Sequence, residues 1–148
     1  MVAQMALLLT ACSDGLVYNH SVDVQPDGWA PTDTLFFPIQ VDRSANVAMP
    51  IERNVPYCLG LSVRYERYYP AGTIQVHARL DDGDVHTVNL PLGDVHDMPE
   101  GDRWGSLCIK EFNDIDPWFA FADSGSYFLK IWPDTLTEHI VSITATLE

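Results

Sequence analysis

Apolar side chains recur at every second position in several stretches of this chain. In the clearest run, Tyr57, Leu59, Leu61, Val63 and Tyr65 alternate with mostly small or polar residues. The same alternation occurs over residues 35–41, 127–131 and 141–147. Because successive side chains of a strand point to opposite faces, this period predicts antiparallel strands that each bury one face.

Turn signals separate these runs. Residues 74–80 and 85–92 flank the turn Asp81-Asp82-Gly83-Asp84, which predicts a β-hairpin. Further Pro and Gly signals divide the chain into about eight strands of ordinary length. We therefore predict an all-β protein, a two-sheet antiparallel β-sandwich of either jelly-roll or immunoglobulin-like type. Residues 110–122 fit no strand pattern and are interpreted as either a helical turn or a long loop.

The tetrapeptide Leu9-Thr10-Ala11-Cys12 follows an apolar stretch and has the form of a bacterial lipoprotein cleavage site. Small residues precede the scissile bond, and the thiol of Cys12 would carry the diacylglyceryl group. We expect residues 1–11 to be the remnant of a signal peptide and residues 12–148 to form a single β-sandwich domain behind a short linker. The alternative is a short apolar strand that contains a cysteine. No later apolar run approaches the roughly 20 residues of a spanning helix, so membrane contact is expected through the lipid on Cys12.

The charge of the chain indicates which classes of partner it can bind. The chain has 21 acidic and 8 basic residues and a net charge of −13. Such a field repels phosphate backbones, so nucleic acid is not an expected partner.

The remaining cysteines form an even pair if Cys12 is lipidated. A disulfide between Cys58 and Cys108 is allowed in an oxidising compartment. Each of the two also lies in an apolar, strand-like run, which equally suits two separate buried thiols.

Catalytic and metal-binding patterns are weak. Nothing pairs a nucleophile with a base, so we predict neither an enzyme nor a cofactor. Two acidic clusters are candidate calcium ligands, namely Asp81, Asp82 and Asp84, and Asp94, Asp97 and Asp102. Aspartate is also common at turns, where it bonds its own backbone, so no metal site is predicted. His77 and His86 lie in the two arms of the hairpin, where surface pairing across the strands is favoured over metal binding.

Large aromatic residues suggest a binding surface. Trp29, Trp104, Trp118 and Trp132, with Tyr68 and Tyr69, are candidates for an exposed platform that contacts sugar rings or a protein partner. The competing interpretation is that these rings fill the core or cover its ends, as large aromatics usually do.

Several short motifs occur in a characteristic order along the chain. They are Cys12-Ser13-Asp14, Val17-Tyr18, Trp29, Asp33-Thr34-Leu35-Phe36-Phe37, Val63-Arg64-Tyr65, Tyr69-Pro70, Asp102-Arg103-Trp104-Gly105, Gly125-Ser126-Tyr127-Phe128 and residues 143–148. This order resembles the GldH gliding-motility lipoproteins of the Bacteroidota. The resemblance implies a non-enzymatic β-sandwich of the cell envelope, anchored to the outer membrane by the lipid on Cys12. It also implies other envelope lipoproteins, or proteins of the motility and linked secretion machinery, as partners.

Two functional hypotheses follow. The first is an envelope scaffold that docks other proteins through one face of the sandwich, which predicts a contiguous apolar patch. The second is a lipid-anchored glycan-binding module, which predicts exposed aromatic rings with polar neighbours in a groove.

Overall fold

A computed structural model describes residues 16–42, 51–66, 72–93, 103–104 and 107–148, with only the backbone at 103, 104, 116 and 117. Within these ranges no helix is long and apolar enough to cross a membrane. The regular elements are strands: β1 (Tyr18–Asp23), β2 (Leu35–Val41), β3 (Tyr57–Glu66), β4 (Thr73–Leu80), β5 (Val85–Pro91), β6 (Arg103–Trp104), β7 (Leu107–Phe119), β8 (Gly125–Pro133) and β9 (Ile140–Leu147).

These strands form two antiparallel sheets. One has five strands in the order β1-β9-β3-β7-β6, and the other has four in the order β2-β8-β4-β5. The predicted all-β, two-sheet sandwich is therefore confirmed, with nine strands in the described ranges where about eight were expected. Within it, β1 pairs with β9, β2 with β8, β3 with β7 and β4 with β5. Such nested pairing, divided between two sheets, is a jelly roll, and it decides between the two predicted sandwich types.

The core consists of the alternating residues that point inward from both sheets. In β2, Leu35, Phe37, Ile39 and Val41 are buried while the residues between them are exposed. Across the sandwich, the ring of Phe37 contacts that of His20 on β1 edge to face, with centroids 6.1 Å apart. Full burial of one such side chain stabilises the fold by about 1.5–3 kcal/mol. The inward-pointing residues therefore hold the two sheets together.

Most of the segment that the sequence pattern left unplaced, residues 110–119, belongs to β7. Its interpretation as a helical turn or a long loop is wrong for the residues that β7 includes. Leu59 of β3 faces Ile115, whereas Leu61 faces Phe112, so β7 carries an extra residue between these pairs. Asp114 lies at this point with φ 59°. A bulge of this kind shifts the alternation out of phase, which is why no strand period is visible in the sequence.

The predicted hairpin is confirmed as β4 and β5. Asp81 begins its turn with a φ of 49°, in the left-handed region. The Oδ1 atom of Asp81 accepts a hydrogen bond from the N–H of Phe128 at 2.7 Å, and the N–H of Asp81 donates to the oxygen of Phe128 at 2.8 Å. This aspartate therefore fixes the hairpin turn against β8.

Replacing Asp81 tests this structural role. We expect Asp81→Ala to lower the free energy of unfolding by about 1–2 kcal/mol, because it removes an acceptor and places alanine at positive φ. Asp81→Asn is the matched control, since asparagine tolerates this conformation and keeps an acceptor oxygen. Urea denaturation measures both, and an alanine variant as stable as the wild type would contradict the assignment.

Candidate functional site

The outward side chains of the four-stranded sheet form a regular array, which we call the outer face. Strand register places them in rows that run across β2, β8, β4 and β5. From one end to the other, the rows are Gln40 and Ser126; Pro38 and Phe128; Phe36, Lys130, Arg79 and Val85; Trp132, His77 and Thr87; Gln75 and Asn89; and Thr73 and Pro91. An apolar part around Phe36, Pro38 and Phe128 thus lies next to the polar pair of Gln40 and Ser126, and a polar end with His77 and Gln75 lies on the other side.

The apolar part consists of Phe36, Pro38 and Phe128, here named the aromatic patch. Phe36 is 51% exposed and Phe128 is 45% exposed. Their rings meet edge to face, with centroids 5.9 Å apart and planes at 89°. Pro38 lies directly opposite Phe128 in the register. Scattered exposed apolar residues are normal, whereas a contiguous group of large ones is typical of interaction sites.

Adjacent aromatic residues explain how the sequence builds this patch. Phe36 and Phe37 are neighbours, as are Tyr127 and Phe128. Because strand side chains alternate, one ring of each pair enters the interior and the other points to solvent. Sequence reasoning did not identify Phe36 and Phe128 as site residues, although this doublet pattern was visible.

Two cations border the aromatic patch. Lys130 lies opposite Phe36, and Arg79 lies opposite Lys130 on the other side. The Nε atom of Arg79 is buried and has no hydrogen-bond partner among the described residues. Positive charge at this position is notable in a chain with a net charge of −13. The patch and its border together suit a surface that combines apolar groups with carboxylates.

The polar end of the outer face is organised around His77. Its Nε2 lies 3.0 Å from Oδ1 of Asp134, and its Nδ1 lies 3.1 Å from Oγ1 of Thr87. The ring centroid of Trp132 is 5.6 Å from that of His77. Hydroxyl, imidazole and carboxylate stand in the order of a catalytic triad. Thr87, however, is exposed on an open sheet, whereas such catalysis depends on an enclosed site with convergent donors.

An open cleft of about 600 Å³ adjoins this polar end. It lies between the start of β4 and the connection from β8 to β9, and Gln75, Asp134, Glu138 and His139 are among its lining residues. No lysine or arginine occurs among the described residues that line it. The lining therefore suits a neutral or cationic polar ligand better than an anion.

The predicted tryptophan platform is not assembled in the described part of the chain. Trp29 is only 1% exposed, and its Nε1 donates to the oxygen of Asp33 at 2.8 Å, so its assignment to a surface is wrong. Trp118 is 52% exposed on β7, in the five-stranded sheet. Trp132 is half-buried on β8, in the other sheet. The backbone of Trp104 belongs to β6, but its side chain lies outside the description, as do Tyr68 and Tyr69.

Of the two alternatives for Cys58 and Cys108, the possible disulfide does not form. On β3, Tyr65 rather than Cys58 faces Cys108 of β7. Cys58 lies seven residues before Tyr65 in β3, which is about 23 Å at the rise of a strand. The Cα atoms of cysteines in a disulfide are less than about 7 Å apart. Neither cysteine is in a disulfide; the thiol of Cys108 is buried and that of Cys58 is half-buried. The alternative of two separate thiols is therefore the correct one.

Cys58 belongs to a small cluster on the outside of the five-stranded sheet. Its Sγ lies 3.3 Å from Oδ1 of Asp114, and the same oxygen accepts a hydrogen bond from Nε1 of Trp118 at 2.9 Å. Burial, followed by the hydrogen bond and charge of Asp114, raises the pKa of the Cys58 thiol. The thiol is therefore neutral and weakly nucleophilic near neutral pH.

The candidate metal ligands are not brought together where the structure describes them. Asp81 is engaged with Phe128, and no group of three or more His, Cys, Asp or Glu side chains in the described ranges could hold a metal ion. Asp94, Asp97 and Asp102 lie outside these ranges, as does Cys12.

The expected pairing of His77 with His86 is wrong. Thr87 faces His77 and Ala78 faces His86, so the two imidazoles lie on opposite sides of the sheet. The ring of His86 instead contacts that of Phe119, with centroids 6.2 Å apart.

Fold and site together define a jelly-roll β-sandwich with an exposed aromatic patch on its four-stranded sheet. No protein-family model matches the chain, and a search of curated proteins finds no significant match.

Thiol chemistry tests the cysteine assignments in a Cys12→Ala chain. Denaturation without reductant is expected to release two reactive thiols, and native alkylation should label Cys58 while Cys108 stays protected by burial. The alkylation rate of Cys58 should rise with pH around a midpoint above that of a free cysteine, because its pKa is raised. Asp114→Asn should lower that midpoint. Fewer than two reactive thiols in the denatured chain would show that Cys58 and Cys108 do form a disulfide.

Proposed function

We propose that this chain is a non-enzymatic, lipid-anchored protein of the outer membrane that docks a partner protein through the aromatic patch. The exposed edge-to-face pair of Phe36 and Phe128 is the observation that carries this proposal. The lipobox ending at Cys12 supports the anchor. The resemblance to the GldH lipoproteins supports a role in gliding motility or its linked secretion machinery, as a structural or assembly component.

The aromatic patch has the chemistry of an interface centre. Aromatic side chains bury a large area for few rotatable bonds and are enriched at the centres of protein interfaces. Phe36 and Phe128 already hold each other in place, so docking would order few side chains. Lys130 and Arg79 supply a charged border on one side. The partner is accordingly an envelope lipoprotein, or a secretion or motility protein, with an apolar surface bordered by carboxylates.

The lipid on Cys12 would hold the domain at the membrane only in part. A single acyl chain gives marginal and reversible binding, and stable attachment takes a second signal. Further acyl chains on Cys12 are one such signal, and docking through the aromatic patch is another. Anchor and patch would therefore reinforce each other by raising the local concentration of the partner.

Removing the aromatic patch tests the docking. In crosslinked pull-downs from intact envelopes, Phe36→Ser combined with Phe128→Ser should reduce recovery of the principal partner by about tenfold or more, because central aromatic contacts dominate interface energy. Leu136→Ser is the matched control, since Leu136 is 59% exposed and lies away from the patch. Urea denaturation should show that both variants remain folded. Equal recovery by the wild type and the double variant would refute the docking role.

Changing the anchor is a separate test in the same cells. Cys12→Ala should move the protein out of the membrane fraction, and adding the two Phe→Ser changes should release what remains. If the Cys12→Ala chain and the wild type fractionate identically with membranes, and the triple variant does too, the lipoprotein premise fails.

A lipid-anchored glycan-binding module is the second candidate function. It is favoured by Trp132, which lies beside His77 one row from Gln75 and the polar cleft. A ring next to amide and carboxylate groups can stack on a sugar and bond its hydroxyls. On a glycan array, Trp132→Ala should abolish any binding that Trp118→Ala retains, since Trp118 lies on the other sheet. An array without binders would count against this function.

A further inference from the structure

Strand β5 is an edge of the four-stranded sheet, paired only with β4 in the described part of the chain. The N–H of Leu92, just after β5, donates to the oxygen of Gly72 at 2.9 Å, which sets the phase of the ladder. Because hydrogen-bonded pairs alternate in antiparallel strands, every second residue of β5 bonds to β4. The residues between them, Val85, Thr87 and Asn89, therefore direct their main-chain N–H and C=O groups away from the sheet.

Edge strands usually carry features that block further pairing, such as proline, charged residues or bulges. β2, at the other edge of the same sheet, has Pro38 in its middle. β1 is only six residues long and ends in Asp23, and β7 is interrupted by its bulges. β5, with the sequence VHTVNLP, has no charged residue and has proline only at its last position. Among the described edges, β5 is thus the least protected.

A groove of about 590 Å³ runs beside this edge, between β5 and β7. It is lined by residues 87–90 of β5 and by residues 111–113 and 115 of β7. Four consecutive residues of one strand border a groove only when the edge of that strand faces it, because side chains alternate between two faces. Val88, Leu90 and Ile115 supply buried apolar surface, so every second side chain of an added strand would meet an apolar floor.

We propose that β5 and this groove accept an extended segment of another protein by β-strand addition. The main-chain groups of Val85, Thr87 and Asn89 would pair with the segment, and its inward apolar side chains would enter the groove. Its outward residues would be Lys or Arg, because the net charge of −13 on the chain attracts a cationic segment. A second copy of this chain is disfavoured, because two such acidic molecules repel each other.

This site is independent of the aromatic patch. β2 and β5 lie at opposite edges of the four-stranded sheet. Three strand spacings separate them, about 14 Å. Loss of the proposed docking role would therefore leave the strand-addition site untouched, and the reverse also holds.

Proline substitution at the free edge is the decisive test. The purified chain is applied to an array of heptapeptides in which apolar residues alternate with Lys and Arg or, in a second set, with Asp and Glu. The wild type is expected to bind the basic set, and Thr87→Pro to lose at least about tenfold in affinity, because proline removes the outward N–H while sparing the ladder to β4. Thr87→Val is the matched control, since it also lacks the hydroxyl but keeps the N–H.

Hydrogen exchange supplies a readout that needs no variant. In the wild type, a bound basic peptide should slow exchange at Thr87 and Asn89 and leave Phe36 unchanged. The proposal is overturned if no peptide binds, if Thr87→Pro and Thr87→Val bind equally, or if the amides of Thr87 and Asn89 are already protected in the free monomer. Sedimentation that detects a dimer sensitive to Thr87→Pro would assign the edge to a second copy, which also overturns it.

Discussion

Packing of the two inward faces against each other is the constraint on which the rest of this structure depends. Each strand commits alternate side chains to that interior, as β2 does with Leu35, Phe37, Ile39 and Val41. Apolar burial contributes most of the favourable free energy of folding, so these positions have little freedom to change. The outward positions are not constrained in this way. The residues that alternate with the core positions therefore determine the chemistry of the surface.

The aromatic patch is a direct consequence. Phe37 satisfies the interior at its position, which leaves Phe36 without a role in the core. Phe128 stands in the same relation to its half-buried neighbour Tyr127. Two large rings thus contact each other in solvent without stabilising the interior, and the proposed docking role rests on this arrangement. The same reasoning does not extend to Trp29, whose burial and hydrogen bond give it a structural role.

Nested pairing also determines where the sandwich is open. A jelly roll leaves edges because its sheets do not close into a barrel, and here those edges differ in their protection. Pro38 blocks the middle of β2, whereas nothing comparable interrupts β5. Face and edge thus offer two chemically different kinds of contact, one through side chains and the other through the main chain.

The sequence by itself determined six of the described strands, β2 to β5, β8 and β9, together with the hairpin at Asp81 and the sandwich class, because the direction of a strand side chain and the geometry of a turn are local properties. It did not reveal β7, since an inserted residue near Asp114 hides the period. Of the candidate aromatic residues whose side chains the structure describes, only Trp132 lies on the outer face. The separation of Cys58 from Cys108 and the row that joins Phe36 to Lys130 were decided by tertiary structure alone. Both depend on strand register between segments far apart in the chain, and no local pattern encodes that register.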